Sequence, residues 1–283
     1  MNRPDLNWNA PETASEASRA FSFLSSSGAR IGYDVHGEGP PLLLVHGALS
    51  DHRTNWTYVK PFLAQRFTVY AMARRGRGSS DATAGHALED EINDAASLLR
   101  RIGAPAFVIG HSYGAHVALG AAFAVPALVR RLVLYEPPWP HLIDAAALAT
   151  LEVLAAASDW DGFATAFFRD VLAVPEGVLS ALRRTPDWPS IVADAPASLG
   201  DLRATARYTF TPERFQTLPM PVLLQIGSES PADFYVTDAL AAVLPDVALG
   251  RLEGQAHEGM TTAPEQYARA VCRFLTVSGH GAS

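Results

Sequence analysis

The residues of this 283-residue chain best suited to chemistry are Gly110-His111-Ser112-Tyr113-Gly114. A serine hydroxyl is a poor nucleophile until a neighbouring base takes its proton, and the addition it performs needs donors for the negative charge that develops. The pentapeptide follows the apolar run Ala106 to Ile109 and precedes Ala115 to Phe123, which has helical composition. A Gly-x-Ser-x-Gly framed in this way predicts a sharp strand-to-helix turn that exposes the serine. The flanking glycines have a steric reason, because a side chain at either position would collide with the adjoining strand or helix. The helix that starts there also directs its N-terminal N–H groups at developing negative charge.

The elements that must position such a serine are legible as apolar runs. Leu42 to Val45 is apolar at every position, as expected of a strand covered on both faces of a parallel sheet. Phe67 to Met72, Ala106 to Ile109, Leu132 to Tyr135, Val222 to Ile226 and Val247 to Leu252 repeat the theme. Ahead of them, Phe21 to Leu24 and Arg30 to Val35 flank Ser26-Ser27-Gly28 and predict a hairpin. Leu88, Ile92, Ala95, Ala96, Leu99 and Ile102 form a helix-period stripe stopped by Gly103 and Pro105. Strands alternating with helices imply right-handed crossovers and a mostly parallel sheet. From Pro137 to about Phe215 the rhythm breaks. That stretch carries Ala, Leu and Phe at helical spacing, cut by Pro175, Pro186, Pro189 and Pro196, and predicts a helical insertion between the sixth and seventh strands.

With these elements in place the chain resembles the α/β-hydrolase superfamily over roughly Phe21 to Leu275, with the serine turn after the fifth strand. The resemblance implies an eight-stranded, mostly parallel sheet flanked by helices, with a helical cap inserted after strand 6. It divides the chain into a polar leader (1–20), a core (21–136 and 216–276), a cap (137–215) and a tail (277–283). His46-Gly47-Ala48, after the third strand, is similar to the family's His-Gly oxyanion loop, so the resemblance implies that the N–H groups of Ala48 and Tyr113 form the oxyanion hole. His46 itself reads as a structural residue. Arg75-Gly76-Arg77-Gly78-Ser79 resembles the family's Arg-Gly-x-Gly-x-Ser turn, except that Ala73 stands where an acidic residue is usual, and it reads as architectural. The resemblance places the base on a histidine after the last strand, which His257 in Gly254-Gln255-Ala256-His257-Glu258 satisfies. The acid departs from the common pattern. Ser230 occupies the position after the seventh strand where most members carry Asp, and Glu229 is one residue early. Glu136, directly after the sixth strand, is the preferred acid, as in one type of haloalkane dehalogenase and in zearalenone-type lactonases; Glu229 is the alternative.

The implied reaction is acyl transfer to water from an ester or lactone with a hydrophobic moiety, through Ser112, His257 and Glu136. A serine nucleophile argues against dehalogenases and epoxide hydrolases of the same fold, which use a carboxylate. Carbon–carbon hydrolases, thioesterases, perhydrolases and hydroxynitrile lyases remain as rival reactions, and a slow-turnover ligand receptor as a rival class. Aromatic residues concentrate in the insertion, and an apolar pocket under it would be lined by Trp139, Trp160 and Trp188.

Bulk composition agrees with a globular enzyme: 48% apolar and 18% charged residues exclude wholesale disorder. A formal net charge of −7, with no long basic run, excludes nucleic acid as the expected partner. Arg74, Arg75 and Arg77 are the densest basic cluster, too few to alter that. The single cysteine, Cys272, rules out an intrachain disulfide and Cys-rich metal sites, and it reads as a small buried hydrophobe. No metal or organic cofactor is implied. Met1 to Ser18 has no apolar core of a signal peptide, and a cytoplasmic address with no membrane partner is the expectation. A small-molecule substrate is the expected partner. An apolar cap face would also suit a homodimer, and the pattern leaves the oligomeric state open.

Overall fold

The computed structural model describes residues 19–82 and 85–276. Eight strands form one sheet: β1 (Arg19–Leu24), β2 (Arg30–His36), β3 (Pro41–Val45), β4 (Thr68–Met72), β5 (Ala106–His111), β6 (Val129–Tyr135), β7 (Val222–Gly227) and β8 (Val247–Leu252). Their order is β1-β2-β4-β3-β5-β6-β7-β8. β2 pairs antiparallel with both β1 and β4, and the pairings from β4 through β8 are parallel. The predicted hairpin is the β1–β2 pair, turning at Gly28, whose φ of 83° favours a residue without a Cβ. Arg19 and Ala20 already belong to β1, so the expected leader gives up its last two residues to the sheet. Residues 1–18 and the expected tail lie outside the described residues.

The central strands are apolar on both faces because both faces are covered. Residues of β5 are buried without exception, and helices α2 (Leu88–Ile102) and α3 (Tyr113–Ala124) close one side. The other side packs on α1 (Lys60–Ala64) and the C-terminal helix Pro264–Thr276, where Cys272 is buried among apolar neighbours. α2 ends where its stripe ends, on Gly103 at φ 75°.

Between β6 and β7 the chain is helical: α4 (Ala145–Ala156), α5 (Trp160–Ala166), a π-turn at Phe167–Val171, α6 (Glu176–Leu182) and α7 (Trp188–Arg207). These helices share a core of their own, including Leu151, Phe163, Phe167, Phe168, Leu179 and Trp188. After β7 come two short helices, α8 (Thr237–Ala241) and α9 (Gly259–Thr262); the C-terminal helix is α10. Among the described residues, no helix is long and apolar enough to cross a membrane.

The strand order sets the location of any site. After β3 the chain moves outward to β4, then returns past β3 to β5, so the connections leaving β3 and β5 part in opposite directions. A crevice at the carboxyl ends of these strands is where α/β sheets bind ligands. The register Val45↔Gly110 brings the segment after β3 alongside the serine turn.

Candidate active site

Ser112 links β5 to α3 with φ 54° and ψ −126°, a conformation that L-residues rarely adopt. The turn is held by its surroundings. A Cβ on Gly114 would strike the carbonyl oxygens of Val45 and His46, and a Cβ on Gly110 would fall 2.6 Å from Ala115 Cα. The serine's own N–H donates to Tyr135 O at 2.9 Å, tying the turn to the end of β6.

One residue beyond Tyr135, Glu136 also has positive φ (50°) and is completely buried. Its Oε2 lies 2.6 Å from His257 Nδ1, and its Oε1 accepts the Gly227 N–H at 2.7 Å. Burial alone would push this carboxyl pKa up. The His257 hydrogen bond and charge, with the Gly227 N–H, outweigh burial and hold it below the usual value. Burial likewise opposes charge on His257, but the Glu136 hydrogen bond and charge win and raise the imidazole above its ordinary range. Glu229 is exposed and accepts from the Ser228 hydroxyl at 3.0 Å. Of the two glutamates named from sequence, Glu136 is the one that meets the histidine.

The His257 loop is fixed from three sides. Tyr135 donates its hydroxyl to Ala256 O at 2.6 Å, and His111 Nε2 lies 3.0 Å from His257 O. The Tyr235 ring stacks on the imidazole at 10° and 5.7 Å, its hydroxyl 3.2 Å from Nδ1. The histidines beside the serine do not share its direction. His111 is buried, with Nδ1 3.1 Å from Asn55 Oδ1, and burial keeps its ring neutral. His116 donates Nε2–H to Pro138 O at 2.7 Å. Tyr235 and Asn55 were not singled out from sequence, because neither sits in a motif and each matters only through a partner distant in the chain.

The segment after β3 faces the serine: a Cβ on Gly47 would stand 3.1 Å from Ser112 Cβ. Gly47 N–H donates to Asn55 Oδ1 at 2.9 Å. His46 is fully buried, with Nδ1 2.9 Å from Gly47 O and Nε2 accepting the Arg74 N–H at 3.2 Å. Both ring nitrogens are therefore occupied by backbone.

Arg74, Arg75 and Arg77 form no surface patch. They are 0%, 4% and 2% exposed, and each is paired with carboxylate. Arg75 meets Asp94 on α2, while Arg74 and Arg77 share Asp201 on α7, and Arg74 also meets Glu91 on α2. His86 approaches Glu91 at 2.9 Å. The two carboxylates beside His86, Glu91 and Asp201, are thus met by the Arg74 and Arg77 guanidinium groups. The turn that reads as architectural joins the sheet to the helices between β6 and β7.

Of the three tryptophans expected to line a pocket, Trp139 borders a groove of about 320 Å³ with His141, Ile143, Tyr208 and Phe210. Trp188 is 6% exposed and donates its indole N–H to Asp161 at 2.7 Å, inside the helices' own core. Trp160 packs edge-on against Phe163. The structure does not bring these two into the Trp139 groove, because both pack into the core that the helices between β6 and β7 share.

Residues 42–270 match the profile described as the alpha/beta hydrolase family. A crystal structure of an alpha/beta hydrolase from Sphaerobacter thermophilus is 32% identical with a TM-score of 0.80, covering 90% of this chain and 100% of that one. A pimeloyl-[acyl-carrier protein] methyl ester esterase of Methylococcus capsulatus is 27% identical over 87% of this chain and 98% of its own length. An uncharacterised protein of Mycobacterium tuberculosis is 37% identical over 116 residues, and there the match spans only 34% of the relative's length. The family match over most of the chain, the eight-stranded sheet and the serine turn at the end of β5 lead to one conclusion: this chain belongs to the alpha/beta hydrolase family.

Proposed function

We propose that the protein hydrolyses carboxylic esters or lactones that carry a hydrophobic moiety, with Ser112 as nucleophile, His257 as general base and acid, and Glu136 as the acid that orients the histidine. The observation that carries this reading is the contact of buried Glu136 Oε2 with His257 Nδ1 at 2.6 Å, at the same carboxyl end of the sheet as the strained Ser112 turn. A carboxylate on Nδ1 leaves Nε2 as the nitrogen free to take a proton. The esterase of Methylococcus capsulatus, aligned along nearly the whole chain, supports ester chemistry over the other reactions of the fold.

In this mechanism His257 Nε2 takes the Ser112 proton as Oγ adds to the carbonyl carbon, and the carbonyl electron pair moves onto oxygen. The Ala48 and Tyr113 N–H groups stabilise that oxyanion; one such donor is worth about 3 kcal/mol in comparable enzymes. Collapse expels the alcohol, which leaves with the proton from His257. Water then attacks the acyl-serine with His257 again as base, releasing the acid and restoring Ser112. The helices between β6 and β7 act as a cap, and the aromatic side chains of Trp139, Tyr208 and Phe210 that line the groove beside it suit a substrate with a hydrophobic moiety.

The test is steady-state hydrolysis of p-nitrophenyl esters from acetate to decanoate, by wild type and Ser112→Ala. Turnover abolished in a folded Ser112→Ala protein is expected, and the preferred chain length sizes the acyl site. Turnover that survives the substitution would overturn the serine mechanism.

A further inference from the structure

We propose that Arg74 is a positioning residue for the oxyanion hole: it aims and polarises the Ala48 N–H by gripping the peptide in front of it. The proposal rests on the reading of Ala48 as an oxyanion donor.

A guanidinium has five N–H donors in one plane, and all five of Arg74 are used. Nε–H donates to His46 O at 2.8 Å, and one Nη2–H donates to Gly47 O at 2.8 Å. The other Nη2–H meets Asp201 Oδ2 at 2.7 Å, and Nη1 serves Glu91 Oε2 at 2.6 Å and Asp201 Oδ1 at 3.1 Å. The two carboxylates occupy one side of the fork, and two consecutive backbone carbonyls occupy the other. The group is wholly buried, so no water competes for these positions.

The consequence follows from peptide geometry. No cis bond occurs among the described residues, so Gly47 C=O and Ala48 N–H point in opposite directions from one planar unit. A Gly47 oxygen held against Arg74 turns the Ala48 N–H away from it. The same unit is secured one residue earlier by Asn55, which accepts the Gly47 N–H, and one residue later by Ser198, whose Oγ accepts the Leu49 N–H at 2.8 Å. A cation on the carbonyl oxygen also draws electron density out of the amide, which makes its N–H a stronger donor. The guanidinium also lies 4.5 Å from the centre of the ring of Tyr113, the residue whose N–H is the second expected donor.

Lysine cannot replace this fork. Its single nitrogen offers three donors from one point and cannot span two carbonyls and two carboxylates at once. Arg77 is the natural control. It binds the same Asp201, and Ser198 in addition, but donates to Arg75 O, not to His46 or Gly47.

The experiment uses an alkyl trifluoromethyl ketone with 13C at its carbonyl. Ser112 Oγ adds to that carbon, the hydroxyl proton passes to His257, and the carbonyl oxygen becomes an alkoxide whose ionisation is read from the 13C shift across pH. In Arg74→Lys and Arg74→Met the alkoxide pKa is expected to rise by about one unit or more relative to wild type. kcat for a p-nitrophenyl ester is expected to fall about tenfold to a hundredfold, with KM changed by less than about threefold. Arg77→Lys disturbs the same buried cluster and is expected to leave the alkoxide pKa within about a third of a unit of wild type. Arg74→Lys keeps a cation between Glu91 and Asp201, and Arg74→Met leaves Arg77 and His86 facing the same two carboxylates, so each variant retains counter-charge for folding. An unchanged alkoxide pKa in the folded Arg74 variants, or an equal shift in Arg77→Lys, would overturn the positioning role. Absence of any adduct in wild type would instead overturn the reading of Ser112.

Discussion

At the scale of single residues, the weight falls on a buried carboxylate that contacts one imidazole. Glu136 is fully buried, so its charge is tolerable because His257, Ser230 and the Gly227 N–H receive it. Glu136→Gln is expected to lower kcat by about 10⁴, because the amide no longer enforces the Nδ1–H tautomer or stabilises an imidazolium. Glu229→Gln, altering an exposed side chain, should leave kcat within about twofold of wild type. A near-normal rate for folded Glu136→Gln would remove Glu136 from the mechanism. The pH profile has a definite sign. In the proposed mechanism His257 must be neutral to act as base, and its pKa is raised by Glu136, so kcat/KM is expected to climb with pH through a midpoint above the ordinary histidine value of about 6.5. In Glu136→Gln the residual activity should show that midpoint displaced to lower pH.

The elements contribute contact where side chains would intrude. β3 and β5 lie side by side in register, and the loop leaving β3 crosses directly over the first turn of α3. Gly114 is the contact point, with the Val45 and His46 carbonyls against its Cα. Gly114→Ala should therefore push the β3 loop away from the serine. Overpacking of this kind costs about 1–3 kcal/mol, and the displaced Ala48 N–H should lower kcat more than the loss of stability explains. Thermal unfolding and ester kinetics on the same sample check both effects; a stable Gly114→Ala protein with wild-type kcat would show that this contact does not set the site. α7 contributes from the opposite side. Asp201 and Ser198, one turn apart on that helix, reach the turn after β4 and the loop after β3. The helices between β6 and β7 are thereby anchored to the site by polar contacts as well as by apolar area.

For the molecule as a whole, those anchors form one buried ionic cluster: Arg74, Arg77 and His86 against Glu91 and Asp201. Such clusters repay their desolvation only when geometry is good, and breaking one partner typically costs about 3–5 kcal/mol. Burial works against charge on His86, but the two carboxylates raise its pKa to about 10. The folded-state pKa thus lies above the unfolded value of about 6.5. The stability His86 contributes is complete below the unfolded value and is lost as pH rises toward about 10. Melting temperature should accordingly fall between these limits in wild type, and the slope should flatten in His86→Asn. Superimposable profiles for the two proteins would show that His86 titrates alike in both states.

Much of this organisation is written locally in the chain. Six apolar runs and a hairpin predict the eight strands, the Leu88 to Ile102 stripe predicts a helix that ends on Gly103, and Gly110 and Gly114 predict the turn at Ser112; in each case the signal lies within a few residues of the element. Other relations could only be decided in three dimensions. Glu136 and Glu229 both follow strands that end beside the His257 loop, and no local pattern tells which carboxylate turns inward. Burial of Glu136 beneath β7, with Gly227 N–H on one oxygen and His257 on the other, separates them. Trp160 and Trp188 look like pocket walls by composition, yet the core of the helices between β6 and β7 claims them. The basic triplet reads as part of an architectural turn, but its partners Asp94, Glu91 and Asp201 arrive from elsewhere in the chain. Periodicity records which face of an element avoids water, and that is a local property. Which charge meets which, and which carbonyl an arginine grips, depends on segments far apart in sequence being folded against one another.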